Sequence, residues 1–200
     1  MLLFSLGHCK AAYITDFVLN GLAVCCLLIF LVIRAPYPHP LWMLILFVLG
    51  LFAFTGVEYF LHRFILHGVE PFKCWHATHH AHPSSMTGTP IILSVSLIIF
   101  LMFIPVLIFT NWLFAGTLAL GLNAGYLFYA IIHHAIHHWQ CKYDWLKRRK
   151  IWHARHYHTD VAPIFFGITT SFWDAIFRSD DLHRCIYKQA PNRDENSDRN

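Results

Sequence analysis

The segment WLFAGTLALGLNAGYLFYAIIHHAIHH, Trp112–His138, decides how the chain is read. Through Ile132 it carries no charged residue, and it is long enough to match the ~20 residues that cross a bilayer as a helix. It then ends in His133, His134, His137 and His138. Imidazole is the commonest metal ligand among side chains, and an unpaired ring nitrogen beside hydrocarbon is costly to bury. A membrane helix with metal ligands at its end accounts for both halves. His133 and His137 share a helical face, and so do His134 and His138, so spacing alone does not choose between the two registers.

The same union recurs along the chain. Sixteen of the 200 residues are histidine. Most stand in four clusters: His62 and His67; His76, His79, His80 and His82; the four just quoted; and His153, His156 and His158. The number exceeds what one tetrahedral site uses, so two metals are expected. His8, His39 and His183 are isolated and read as surface or interface residues. Further apolar runs lie at Tyr13–Ile33, Leu41–Val57 continuing into Leu66, and Ile91–Phe109.

The chain is 56% hydrophobic and 13% charged, where a soluble domain has roughly 25% charged residues. The expected fold is therefore an all-α integral membrane protein. It has four transmembrane helices and a cytosolic helical cap that holds a histidine-rich di-metal site. The alternative is a soluble bundle of buried helices. Residues 1–189 read as one membrane-embedded domain, and the polar stretch 190–200 as a disordered tail. The first run lies too far from the start, and is too long, for a cleaved signal peptide. The six cysteines form no CxxC pair, so neither a disulfide framework nor a structural zinc site is expected.

Cytosolic loops favour Lys and Arg. Lys142, Lys147, Arg148, Arg149 and Lys150 follow His138, and Arg63 and Lys73 lie in the stretch from His62 to Pro90. Arg34–Pro40 has one basic residue and the turn at Thr110–Asn111 has none. Four crossings then place both termini and every histidine cluster in the cytosol. Helices one and two form one antiparallel hairpin, three and four another. Pro105 is expected to kink the third run, and Gly116, Gly121 and Gly125 give the fourth helix a small face for close packing. The basic residues suit anionic headgroups or an acidic electron donor. No motif supports nucleic acid.

Spacing sharpens the ligand set. His76, His79 and His80 lie three and four apart, as do His133 and His137, and His153 and His156. His62 and His67 are about 140° apart on a regular helix, which suits two neighbouring ions better than one. His158 lies about 200° around from His156 and needs a local irregularity to join it. Glu58 stands one turn before His62. It is either an acceptor for a ligand's free ring nitrogen or a helix-end partner for Arg63 or another basic group. Tyr126, Phe128, Tyr129 and Trp152 either line an acyl slot or form an interfacial aromatic belt.

These residues resemble the fatty acid hydroxylase/sterol desaturase superfamily of membrane di-metal oxygenases. The resemblance runs from about Val57 to Arg178. It rests on Glu58-Tyr59-Phe60-Leu61-His62-Arg63 with His67, on Trp75-His76-Ala77-Thr78-His79-His80-Ala81-His82-Pro83, and on Tyr129 through His138. Leu146 through His156 and the closing Phe166-Gly167-Ile168-Thr169-Thr170-Ser171-Phe172-Trp173-Asp174 complete it. The closing stretch and compact length are most similar to the fatty acid 2-hydroxylase branch. The family pattern has two adjacent histidines where this chain has Tyr157 after His156, and Arg178-Ser179 stands where the family has Gly-Thr.

The resemblance implies as ligands His62, His67, His76, His79, His80, His133, His137, His153 and His156; in the usual last place either His158 serves or one metal has a partner fewer. It implies two iron ions, with zinc as a purification substitute, and O2 as co-substrate. The reaction is hydroxylation of a fatty acid or sphingolipid acyl chain at C2, with two electrons. No cytochrome b5 domain is fused, so a separate cytochrome b5 or ferredoxin is the expected donor. The membrane would be the endoplasmic reticulum in a eukaryote and the inner membrane in a bacterium. Alternatives are a sterol or carotenoid oxygenase or desaturase, and a non-enzymatic metal- or haem-binding membrane protein.

Overall fold

The computed structural model describes residues 10–34, 40–84, 98–109, 111–140, 142–158 and 164–180. Those residues are helical or irregular, with no strand among them. Helix α1 spans Lys10–Arg34 and α2 spans Pro40–Phe60, which continues as a π-helix over Leu61–Leu66. Helix α3 is Phe72–Ala81. A second π-helical stretch, Ile98–Phe103, leads into α4, Ile104–Phe109. Helix α5 spans Trp112–His138, α6 Asp144–His158 and α7 Phe172–Ile176. The isolated His8, His39 and His183, the tail 190–200 and the first part of the third apolar run lie outside the described residues.

Three of the described helices are long and apolar enough to cross a membrane: Lys10–Arg34, Pro40–Leu66 and Trp112–His138. The third run, read as a fourth span, is described only from Ile98 onward. There the change from π-helix to α-helix falls one residue before Pro105. Large apolar side chains such as Val32, Ile33, Leu41 and Trp42 are exposed along α1 and α2. A lipid environment covers such a surface without cost.

The expected α1–α2 hairpin is not where the packing lies. Among the described residues, both helices pack chiefly on α5. Close backbone approach explains the α2–α5 pair. A Cβ on Gly50 would stand 2.4 Å from the Leu118 carbonyl oxygen, and one on Gly121 would stand 2.2 Å from that of Phe47. Neither position accepts a side chain. Gly125 likewise admits Phe54, whose Cβ would lie 2.7 Å from an added methyl.

Polar groups join α1 to α5. The buried Asp16 takes a hydrogen bond from the Tyr126 hydroxyl at 2.7 Å, and Asn20 Nδ2 donates to the same carboxylate at 3.1 Å. Tyr126, read as slot or belt, is thus a buried helix-to-helix tie. In hydrocarbon such a carboxylate persists only with partners. At its start α5 is capped by Asn111, whose side chain accepts from the Leu113 and Phe114 amides at 3.0 and 3.1 Å. At its other end the helix carries His133 and His137 to the site.

Candidate metal centre

The first candidate pair, His62 and His67, depends on a change of helix type. In a π-helix the hydrogen bonds close from i to i+5, so residues five apart return to nearly the same face. Leu61–Leu66 winds this way. His62 and His67 therefore converge, with ring centroids 5.2 Å apart, instead of diverging as on a regular helix. The sequence-based expectation that they serve two ions is corrected: both enter one group.

Among the described residues, two groups of imidazoles form. His62, His67, His76, His80 and His156 bring one ring nitrogen each within 4.8 Å of one another, and His79, His133, His137 and His153 do the same. Helix α3 supplies both groups, since His76 and His80 face one and His79 the other. Helix α6 divides its pair as well, His156 to the first group and His153 to the second. The His76–His79 and His153–His156 ring centroids lie 5.9 and 6.0 Å apart, so the groups are neighbours.

Contacts in the second group do not close by hydrogen bonding. His79 Nε2 is 3.2 Å from His133 Nε2, which is 3.1 Å from His137 Nε2, which is 3.0 Å from His153 Nε2. A ring nitrogen holds either one proton or one lone pair. A row of four such atoms therefore satisfies at most two of its three contacts. A cation satisfies all four lone pairs at once. Nitrogens bound to one ion at ~2.1 Å and at right angles stand about 3.0 Å apart, which is the spacing found. The first group shows the same approach, with His62 Nε2 at 2.9 Å from His76 Nε2 and His67 Nε2 at 2.8 Å from His156 Nε2. The residues present thus fit two metal ions.

The tautomers fit as well. His62 Nδ1 donates to the Phe166 carbonyl at 2.6 Å and His156 Nδ1 to the Ile164 carbonyl at 2.8 Å. A carbonyl only accepts, so each Nδ1 carries the proton and each Nε2 presents its lone pair inward. Burial keeps the rings neutral. It pushes His67 and His79 down to about 4, His80 to about 3 and His156 to about 2, and holds His76 and His153 well below the ordinary range.

This has a measurable consequence for protein stripped of metal. The unfolded chain's histidines take up protons near pH 6.5, whereas the folded groups at His67 and His79 resist until about 4. Between those values the unfolded state binds more protons, so stability falls as the pH is lowered through that window. The thermal midpoint of chelator-treated protein should be lower at pH 5 than at pH 7. An equal midpoint at both would refute the neutral-imidazole reading.

The acceptor carbonyls belong to an irregular stretch, residues 164–170, that is held from two sides. Glu58 Oε1 accepts from the Ile168 and Thr169 amides at 2.5 and 3.0 Å, and the Thr169 hydroxyl donates to its other oxygen. Asp174 accepts from the Phe166 and Gly167 amides, both at 2.8 Å, and from the Ser179 hydroxyl at 2.7 Å. A Cβ on Gly167 would lie 2.0 Å from the Thr170 carbonyl oxygen, so only glycine fits that turn. Phe165 adopts φ 59°, a left-handed conformation costly for a bulky residue, and its ring stacks on Trp152.

Glu58 was expected against a ligand nitrogen, Arg63 or another basic group; it bonds neither of the first two, and the basic group within its electrostatic reach is Arg149. Arg63 donates to the Tyr59 hydroxyl at 2.5 Å, and Glu58 acts one step further back, by fixing the loop that orients His62. Sequence reasoning did not single out Asp174. Its signal was a lone acid in an apolar closing segment, and the structure buries it completely. Tyr129 stacks on His133 at 5.6 Å, while Phe128 is exposed. Trp152 lies on α6 against Phe165 and Arg149. The four aromatics therefore do not line one wall.

Of the two registers, His133 and His137 are the pair that joins the second group. His134 instead shares a hydrogen bond with the Tyr13 hydroxyl at 2.9 Å, and His138 packs on His134. His82 closes α3 as its C-cap. The His158 side chain lies outside the described residues.

Residues 47–179 match the family model for fatty acid hydroxylases. The chain belongs to the fatty acid hydroxylase family. Among relatives of this hydroxylase-family chain is the ceramide very long chain fatty acid hydroxylase scs7 of Schizosaccharomyces pombe, 29% identical over 66% of this chain and 41% of that protein. The dihydroceramide fatty acyl 2-hydroxylase FAH1 of Arabidopsis thaliana is 30% identical over 65% of this chain and 58% of its own length. The fatty acid 2-hydroxylase of Rattus norvegicus is 31% identical over 67% of this chain and 39% of its own length. The chain thus spans less than two thirds of these relatives. A solved structure of full-length scs7p, with only the hydroxylase domain visible, shares the fold at a TM-score of 0.68. It is 22% identical and the match covers 88% of this chain and 68% of that one.

Proposed function

We propose that this chain is a membrane di-iron oxygenase that hydroxylates a lipid acyl chain, at C2, with O2 and two electrons. The observation that carries the reading is the pair of adjacent imidazole groups, each drawn to ion-binding spacing. In balance, a C–H bond, O2, two electrons and two protons give C–OH and water. Iron supplies the oxygen activation that side chains lack. Zinc accepts the same ligands but has no redox chemistry, so zinc-loaded protein should be inactive. A bis-imidazole haem site needs two ligands held apart by the macrocycle, and nine converging rings do not suit it.

The nine gathered histidines would be ligands, five to one ion and four to the other. His158 is kept as a tenth on its place in the sequence, two residues after His156. Phe166 and Ile164 orient His62 and His156, and Glu58 and Asp174 hold the loop that does so. Tyr129 would shield the second ion from the bilayer side. The architecture proposed is one membrane-embedded domain through residue 189, with a fourth span through Ile91–Phe109. The histidines form a cap on the basic, cytosolic side. The lipid would enter from the bilayer, and electrons would come from a separate cytochrome b5 or ferredoxin.

The relatives' names, which speak of fatty acyl and ceramide hydroxylation, support the substrate class. Two measurements test the reading. Protein from iron-replete cells should contain about two irons per chain and no Soret band. Cells expressing it should accumulate lipids heavier by one oxygen, placed at C2 by fragmentation. Folded protein with less than one metal per chain, or an unchanged lipid profile, would overturn it.

A further inference from the structure

Arg149 has no part in the ligand set, yet it stands one helical turn before His153 on α6. Its guanidinium lies over the Trp152 ring, 4.8 Å from the centroid. Nη1 is buried and has no hydrogen-bond partner among the described residues. Two buried carboxylates, Glu58 and Asp174, are within electrostatic reach, and each is already occupied. Glu58 takes the Ile168 and Thr169 groups, and Asp174 takes Phe166, Gly167 and Ser179. A buried guanidinium donor left unsatisfied costs free energy, and nothing described on the protein side relieves it.

The position of this donor is informative. Glu58, Tyr129 and Arg149 each stand four residues before a gathered histidine, namely His62, His133 and His153. Each thus stands one helical turn from a gathered histidine, on three different helices. Arginine presents a planar fork of N–H groups suited to a carbonyl or carboxylate oxygen. We infer that Arg149 is a substrate-positioning residue that holds the C1 oxygen of the acyl chain and so places C2, one bond away, beside the second imidazole group. This rests on the acyl-hydroxylase reading above. The oxygen belongs either to a free carboxylate or to an N-acyl amide. The two neighbouring carboxylates make the neutral amide the better fit, because they repel an added anion.

The test uses full-length protein in lipid nanodiscs, loaded with iron and kept without reductant so that no turnover occurs. Binding of palmitic acid and of N-palmitoyl dihydrosphingosine is compared for wild type, Arg149→Met and Arg149→Lys. Loss of a charge-assisted hydrogen bond should weaken binding by about tenfold or more in Arg149→Met, and by less in Arg149→Lys, which keeps the charge without the fork. The amide probe should bind wild type more tightly than the acid. In cells, Arg149→Met should yield hydroxyl groups at C3 and beyond alongside C2. Iron content should stay at the wild-type level in both variants.

Unchanged binding of both probes with unchanged hydroxylation position would overturn the inference and leave Arg149 a structural neutraliser of Glu58 and Asp174. So would wild-type protein that binds neither probe. If the acyl-hydroxylase reading itself is wrong, wild type gives no hydroxylated product, whereas the binding comparison still reads Arg149.

Discussion

Replacing His79 with alanine should abolish lipid hydroxylation and remove the ion of the second group, with the chain still inserted in the membrane. His79 is buried, and it is the one residue α3 contributes beside His133, His137 and His153. Its loss leaves three nitrogens where four converge. Removing only an outer partner of a metal ligand typically costs 10–100-fold in affinity or activity, so losing the ligand should cost at least about a hundredfold. Insertion should survive because α3, Phe72–Ala81, is not one of the three helices long enough to span. Lipid mass spectrometry and iron per chain read the outcome. Full activity with two irons would remove His79 from the ligand set.

Asp174→Ala should be the most destabilising change outside the histidines. The carboxylate is fully buried and accepts from two backbone amides and one hydroxyl. Alanine leaves those donors without an acceptor in a dry interior. Hydrogen bonds to a charged acceptor are worth ~1.5–3 kcal/mol each and do not add fully, so a loss of roughly 3–5 kcal/mol is expected. The effect reaches the metal centre because Phe166 and Gly167 move with the loop, and the Phe166 carbonyl sets the His62 tautomer. A lower thermal midpoint should therefore accompany a lower metal content. A variant with wild-type stability and iron would show that the loop holds its shape without Asp174.

The comparison of sequence with structure is clearest at single residues. The apolar run that ends in His133 and His137 was legible because a bilayer fixes its length and a metal fixes the residue type at its end. The equality of the His133/His137 and His134/His138 spacings could not be broken locally. It is broken by Tyr13 on α1, more than a hundred residues away, which occupies His134. Glu58 was recognised as important from its place one turn before His62. Its partners were not, because two of the three are backbone amides, of residues 168 and 169, which leave no mark in side-chain sequence, and the third, the Thr169 hydroxyl, comes from a segment more than a hundred residues away. The three glycines on α5 announced close packing, but only the fold shows that two of them meet α2, through Phe47 and Phe54.

Composition and spacing alone specify the class of the molecule: apolar helices of bilayer length, with histidines at their ends in numbers that suggest two ions. Composition and periodicity are local properties, and the membrane and the metal each impose a strong local demand. How the gathered histidines are shared is set by the fold. It places His62 and His67 in one group through a π-turn, and it splits the histidines of α3 and of α6 between two neighbouring groups. It also chooses the carbonyls that point each imidazole inward. Those choices depend on helix type, on crossing geometry and on backbone acceptors brought from distant segments, and spacing along one chain specifies none of them.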